Sequence, residues 1–102
     1  MKVINIGMGE IYITDNASTL LVAPGLGSCI GLAMFDPDRR IGAMAHIVLP
    51  ESLNNKKQAL PGKYANEAVP ELLNGMVKLG AKKDNIVVKI SGGAQMFTLE
   101  KG

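Results

Sequence analysis

Residues 29–50 read Cys29-Ile30-Gly31-Leu32-Ala33-Met34-Phe35-Asp36-Pro37-Asp38-Arg39-Arg40-Ile41-Gly42-Ala43-Met44-Ala45-His46-Ile47-Val48-Leu49-Pro50. Two apolar runs, Cys29 to Phe35 and Ile41 to Leu49, flank the turn signal Asp36-Pro37-Asp38. Short apolar runs on either side of turn residues pair as an antiparallel hairpin. Pro50 closes the second run, because proline cannot donate to a sheet ladder. Gly31 and Gly42 predict bulges or close backbone approach. The hairpin carries the chain's one cysteine and one histidine. Cys29 stands eight residues before Pro37 and His46 nine after it, so closure at that proline sets the two nearly opposite.

Immediately upstream lies Pro24-Gly25-Leu26-Gly27-Ser28. Gly25 and Gly27 open backbone angles closed to other residues, and converging N–H groups there would form a nest for negative charge. A thiol beside such a nest is suited to acyl transfer, with the nucleophile on Cys29 and oxyanion donors around Gly27 and Ser28. Each residue also has a blander reading. A lone cysteine is most often a small buried hydrophobe, and a histidine between Ala45 and Ile47 a satisfied core residue. The glycine turn and the hairpin opposition favour chemistry. Ser28 reads as a turn hydrogen-bonder rather than a second nucleophile. A nucleotide-binding glycine fingerprint is rejected, because its third glycine is one place late and no helical pattern follows.

Outward from the hairpin, Val3–Ile6, Glu10–Thr14 and Thr19–Ala23 read as strands. The last is continuously apolar, as in a strand covered on both faces. Gly7 and Gly9 mark a turn that could border the site. Glu51 to Leu60 is a polar loop leading to Tyr64, and the loop from Glu51 to Tyr64 is read as one rim of the site. Ala65, Ala68, Val69, Leu72, Leu73, Met76 and Leu79 recur at helical spacing and mark a buried face. Asn66 is read as the helix N-cap, with Pro70 in the first turn, and Gly80 as its C′ stop. Ile86–Ile90 is a strand, and Ser91-Gly92-Gly93-Ala94 a turn whose Gly92 and Gly93 form the other rim. The elements add up to an α+β fold: a sheet-rich mixed α/β sandwich with one clear helix, in a single domain spanning 1–102.

The chain has 102 residues, 47% hydrophobic and 20% charged, which suits one globular domain with a modest core. A net charge of +2 without a basic run, and 4% aromatics, give no footprint for nucleic acid. No apolar run reaches the ~20 residues of a membrane span, so no membrane insertion is expected. One cysteine makes no intrachain disulfide, and one cysteine with one histidine falls short of a structural zinc site. The expected location is the cytoplasm.

Four stretches in order, Gly25-Leu26-Gly27-Ser28-Cys29, Gly42 to Pro50, Lys63-Tyr64-Ala65 and Gly92-Gly93-Ala94-Gln95-Met96-Phe97, resemble the CheD family. These are the chemoreceptor glutamine deamidases of bacterial and archaeal chemotaxis. The resemblance implies a fold similar to the deamidating toxins of the cytotoxic necrotizing factor group. It also implies Cys29 as nucleophile, His46 as general base, and no metal or organic cofactor. The implied activity is hydrolysis of selected glutamine side chains on methyl-accepting chemoreceptors, with the chemotaxis phosphatase CheC as a regulatory partner. The alternative is a catalytically weak binding module that docks on CheC.

Two departures from the family pattern bear on these expectations. The family commonly carries threonine six residues before the cysteine, taken as the third member of a triad; here that position is Ala23. The expectation is that a backbone carbonyl orients His46 instead, and that threonine at 23 would raise kcat about tenfold. The family also usually continues beyond Gly102, so the chain is expected to be C-terminally short.

Overall fold

The hairpin forms the centre of a four-stranded antiparallel sheet. In the computed structural model, residues 1–25, 27–49 and 60–92 are described. In chain order the elements are strands β1 (Lys2–Asn5), β2 (Ile11–Thr14), β3 (Thr19–Val22), β4 (Ile30–Asp36) and β5 (Ile41–Ile47), helix α1 (Ala65–Lys78), a 3₁₀ turn (Lys83–Asn85) and strand β6 (Val87–Gly92). The main sheet runs β2-β5-β4-β6, and β1 pairs with β3 in a separate parallel ribbon. This is a mixed α/β architecture with one α-helix and two sheets among the described residues.

Alternation along β4 and β5 divides the sheet into two faces. Ile30, Leu32 and Met34 of β4 and Ile41, Ala43, Ala45 and Ile47 of β5 form one face, buried against Ala68, Leu72 and Met76 of α1. Burying a side chain such as Leu72 or Met76 contributes about 1.5–3 kcal/mol. The helix therefore buries a narrower stripe than its apolar positions predict, since Val69 and Leu79 are exposed. Gly75 meets β2, where a side chain would run into Ile13.

Backbone contacts, rather than a side-chain cap, start α1. Tyr64 precedes its first residue and makes no capping bond; instead the Ala65 N–H donates to Leu49 O at 3.0 Å. Asn66 is thus inside the first turn, not its cap. Pro70 lies within the helix and leaves the Asn66 carbonyl without its intrahelical donor. The far end follows the sequence reading. Gly80 takes a φ of 111°, while Gly80 N–H donates to Val77 O and Ala81 N–H to Met76 O, each at 3.0 Å. No helix among the described residues is long and apolar enough to cross a membrane.

Buried Asp36 ties the hairpin to the helix exit. Its carboxylate accepts the N–H groups of Lys82 at 2.8 Å, Asp38 at 3.0 Å and Arg39 at 3.2 Å. These bonds, that from Lys82 foremost, hold its pKa below the ordinary 3.8.

Other sequence expectations are corrected here. Leu20 of β3 is 48% exposed, so this strand is not covered on both faces; among the described residues it lies in a ribbon with one partner. Gly31 and Gly42 sit in an unbroken ladder without bulges, opposite His46 and Phe35. Ser91 and Gly92 belong to β6, paired with Gly31 and Ile30, rather than to a turn. Pro50, the polar loop at 51–59, Gly93 and the segment after it lie outside the described residues.

Candidate active site

The register of the hairpin places His46 opposite Gly31, two positions from the expected pairing with Cys29. The cause is the turn. Pro37 to Arg40 form a four-residue loop in which Arg40 adopts a φ of 58° and its N–H donates to Asp36 O at 2.8 Å. Closure therefore centres between Asp38 and Arg39, with Asp36 facing Ile41. Cys29, one residue before β4, is on the same face as His46 by alternation, on the diagonal rather than directly across.

His46 is 2% exposed and fixed at both backbone and ring. Its N–H donates to Glu10 O at 3.0 Å, and its carbonyl accepts the Gly9 N–H at 2.8 Å. The turn from Gly7 to Glu10 thus continues the β2–β5 ladder past Ile11. Gly62 braces that turn, with its N–H donating to Gly9 O at 2.8 Å. A Cβ on Gly62 would stand 2.7 Å from Glu10 O, so only glycine fits.

The imidazole is held from the β1–β3 ribbon. Ile6 is buried just beyond β1; its N–H donates to Val22 O at 2.7 Å, and its carbonyl oxygen lies 2.9 Å from His46 Nδ1. A carbonyl can only accept, so the bond requires the proton on Nδ1. In the neutral ring Nε2 then carries the lone pair. That atom is buried and has no hydrogen-bond partner among the described residues, Cys29 Sγ included. An imidazole in this state can take up one proton through Nε2 from a donor brought to it.

Cys29 is a free thiol, 6% exposed. The turn before it is exposed at Pro24, Gly25, Gly27 and Ser28, and Gly25 and Gly27 take φ of 64° and 45°. Gly92 pairs with Ile30, the residue after Cys29, and therefore flanks the cysteine. Tyr64 forms a bridge with Leu49, three residues past His46, and its ring lies 5.5 Å from Lys63 Nζ. Ala23 follows β3 and lines an open cavity of about 420 Å³ together with Gly31, Ala33, Met44, Lys89 and Ser91.

Sequence reasoning singled out the cysteine and histidine but missed Ile6, Glu10 and Gly62. Ile6 and Glu10 act through backbone carbonyls, which carry no residue signature. Gly62 had a signal, a glycine in Pro61-Gly62-Lys63, but its contact with Gly9 is long-range.

Comparison with known proteins agrees with the motifs. The family model described as CheD chemotactic sensory transduction matches residues 48–102. A Symbiobacterium thermophilum protein named "Probable chemoreceptor glutamine deamidase CheD" is 44% identical over 95 residues, covering 92% of this chain and 58% of its own. Proteins of the same name from Methanococcus vannielii and Clostridium botulinum are 46% and 41% identical over 98 and 97 residues, covering 60% and 59% of their lengths. The chain thus spans about three fifths of the curated relatives it matches.

Proposed function

This chain belongs to the CheD family, and from that premise we propose that it hydrolyses glutamine side chains of methyl-accepting chemoreceptors to glutamate. One observation carries the reading: an imidazole bound through Nδ1 to the Ile6 carbonyl, with Nε2 unpartnered on the face that bears Cys29. The cytotoxic necrotizing factor-like cysteine hydrolase fold that the family resemblance implies is part of this proposal. On this reading the chain works in the cytoplasm.

In the proposed route, His46 Nε2 takes the Cys29 proton as the thiolate attacks the glutamine side-chain carbonyl. N–H groups of the turn at Gly27, Ser28 and Cys29 stabilise the oxyanion. The imidazolium returns its proton to the departing ammonia, leaving a thioester on Cys29. Water then attacks the thioester, giving its proton to Nε2; the thiolate leaves, recovers that proton, and glutamate is released. The Ile6 carbonyl stabilises the imidazolium while holding the ring, the task a triad's third member performs. Tyr64 and Gly92 form the rim against which the receptor segment rests.

A second reading is a binding module that docks on CheC, favoured by the absence of a hydrogen bond between Cys29 and His46. Catalytic hydrogen bonds often tighten only with substrate present, which keeps deamidation the stronger reading. Receptor and CheC would then compete for the same rim. Incubating the chain with a chemoreceptor cytoplasmic fragment and counting glutamine-to-glutamate conversions by mass spectrometry separates the two. Conversion that is lost in Cys29→Ala supports the enzyme. A folded chain that binds CheC but converts no glutamine supports the module.

A further inference from the structure

We propose that Lys89 docks a carboxylate on the receptor segment carrying the target glutamine, a specificity element that rests on the deamidase reading above. The sheet face turned away from α1 is laid out in rows by its register. One row runs His46, Gly31, Ser91 and the next Met44, Ala33, Lys89. Between them lies the cavity of about 420 Å³, floored by Gly31 and Ala33, whose side chains are absent or a single methyl, walled on one side by Leu21, Val22 and Ala23 at the end of β3, and bordered by Met44 and Ser91. Lys89 is its one charged lining residue among those described, and no carboxylate pairs with it among the described residues.

Geometry sets where that carboxylate must be. Lys89 pairs with Ala33 and so stands one strand across and four residues along from Cys29. With ~4.8 Å between strands and ~3.3 Å per residue, the separation is about 14 Å. In a helical segment, two to three turns span about 11–16 Å. A glutamine reaching Cys29 from a helix lying along this floor therefore brings a side chain two to three turns away within reach of Lys89. An acidic residue there meets an opposite charge, whereas a basic one is repelled. Exposed lysine on β6, the last strand of this sheet among the described residues, also guards against edge pairing, a role that needs no receptor and makes no demand on its sequence.

The test is steady-state kinetics on a chemoreceptor cytoplasmic fragment with the wild-type chain, Lys89→Ala, Lys89→Arg and Lys89→Glu, each checked for an unchanged melting profile. An exposed ion pair contributes 0.2–1 kcal/mol, so Lys89→Ala should raise KM by up to about fivefold, with the loss on KM rather than kcat. Lys89→Arg should retain wild-type KM, and added salt should reduce the wild-type advantage. Lys89→Glu should be rescued by a receptor fragment with lysine in place of the carboxylate two to three turns from the modified glutamine. An unchanged KM in Lys89→Glu overturns the docking role. If the wild type converts no glutamine, the deamidase reading fails by itself; equal receptor-fragment affinity for wild type and Lys89→Glu would then overturn the docking role as well.

Discussion

His46 Nδ1 lies 2.9 Å from the carbonyl oxygen of Ile6, a residue forty positions upstream and just beyond strand β1 of the other sheet. This bond joins the β1–β3 ribbon to the β4–β5 hairpin at the ring that would act as base. It fixes the tautomer, because only a protonated Nδ1 can donate to a carbonyl. Nitrogen-15 spectra of the neutral ring should show the proton on Nδ1. A ring protonated on Nε2 would show that the Ile6 bond is not made in solution.

The same bond changes what Ala23 implies. Threonine at position 23 would be asked to orient a ring whose Nδ1 is already engaged by Ile6. The gain in kcat from Ala23→Thr should therefore fall well short of the roughly tenfold that acid–base positioning can supply. Steady-state turnover of the two proteins checks this; a full tenfold rise would mean that Ile6 holds the ring poorly.

Replacing the histidine separates packing from chemistry. His46→Asn keeps an amide that can donate to Ile6 O but removes the base at Nε2. Turnover should fall by about 10²–10⁴-fold, with thermal stability largely retained. His46→Ala should fall as far in turnover and also unfold at lower temperature, because it opens a cavity beneath the ribbon.

Gly62 is read as structural support for the same residue. Gly62→Ala forces a methyl to within 2.7 Å of Glu10 O and 2.8 Å of Gly9 O, the two residues that hold the His46 backbone. Overpacking of this kind costs about 1–3 kcal/mol, and turnover should fall with it. Denaturant unfolding with a parallel activity assay tests the pair; a stable but active Gly62→Ala protein would break the link.

Much of the hairpin was legible because its signal is local. Two apolar runs and a proline turn specify β4 and β5, and Gly80 specifies the helix end through its own backbone. The register was not legible, since it depends on Arg40 entering the left-handed region and lengthening the turn. Nor was the ribbon's role. The parallel pairing of Lys2–Asn5 with Thr19–Val22 joins distant segments, and the atom it delivers to His46 is a main-chain oxygen. The cap at Asn66 failed for a related reason: Leu49 and Tyr64 tie the helix start through backbone, so no capping side chain is needed.

Acid should weaken the fold at Asp36. Its hydrogen bonds from Lys82, Arg39 and Asp38 lower the folded-state pKa below 3.8, so its stabilising effect is full above that value. The effect is lost as pH falls through the depressed folded value. Asp36→Asn should melt at lower temperature near neutrality and lose less stability between pH 5 and acid than wild type. Parallel acid dependence in the two proteins would assign the loss to other carboxylates.

The central claim is that Cys29 attacks a receptor glutamine while His46 moves the proton, and trapping the acyl intermediate tests it most directly. Rapid quenching of the chain with a chemoreceptor cytoplasmic fragment should yield a hydroxylamine-sensitive covalent adduct at Cys29, formed with release of ammonia. It should appear before glutamate and be lost in Cys29→Ser and His46→Asn. Glutamate formed at an undiminished rate by Cys29→Ala, with no adduct on the wild-type chain, would contradict the account.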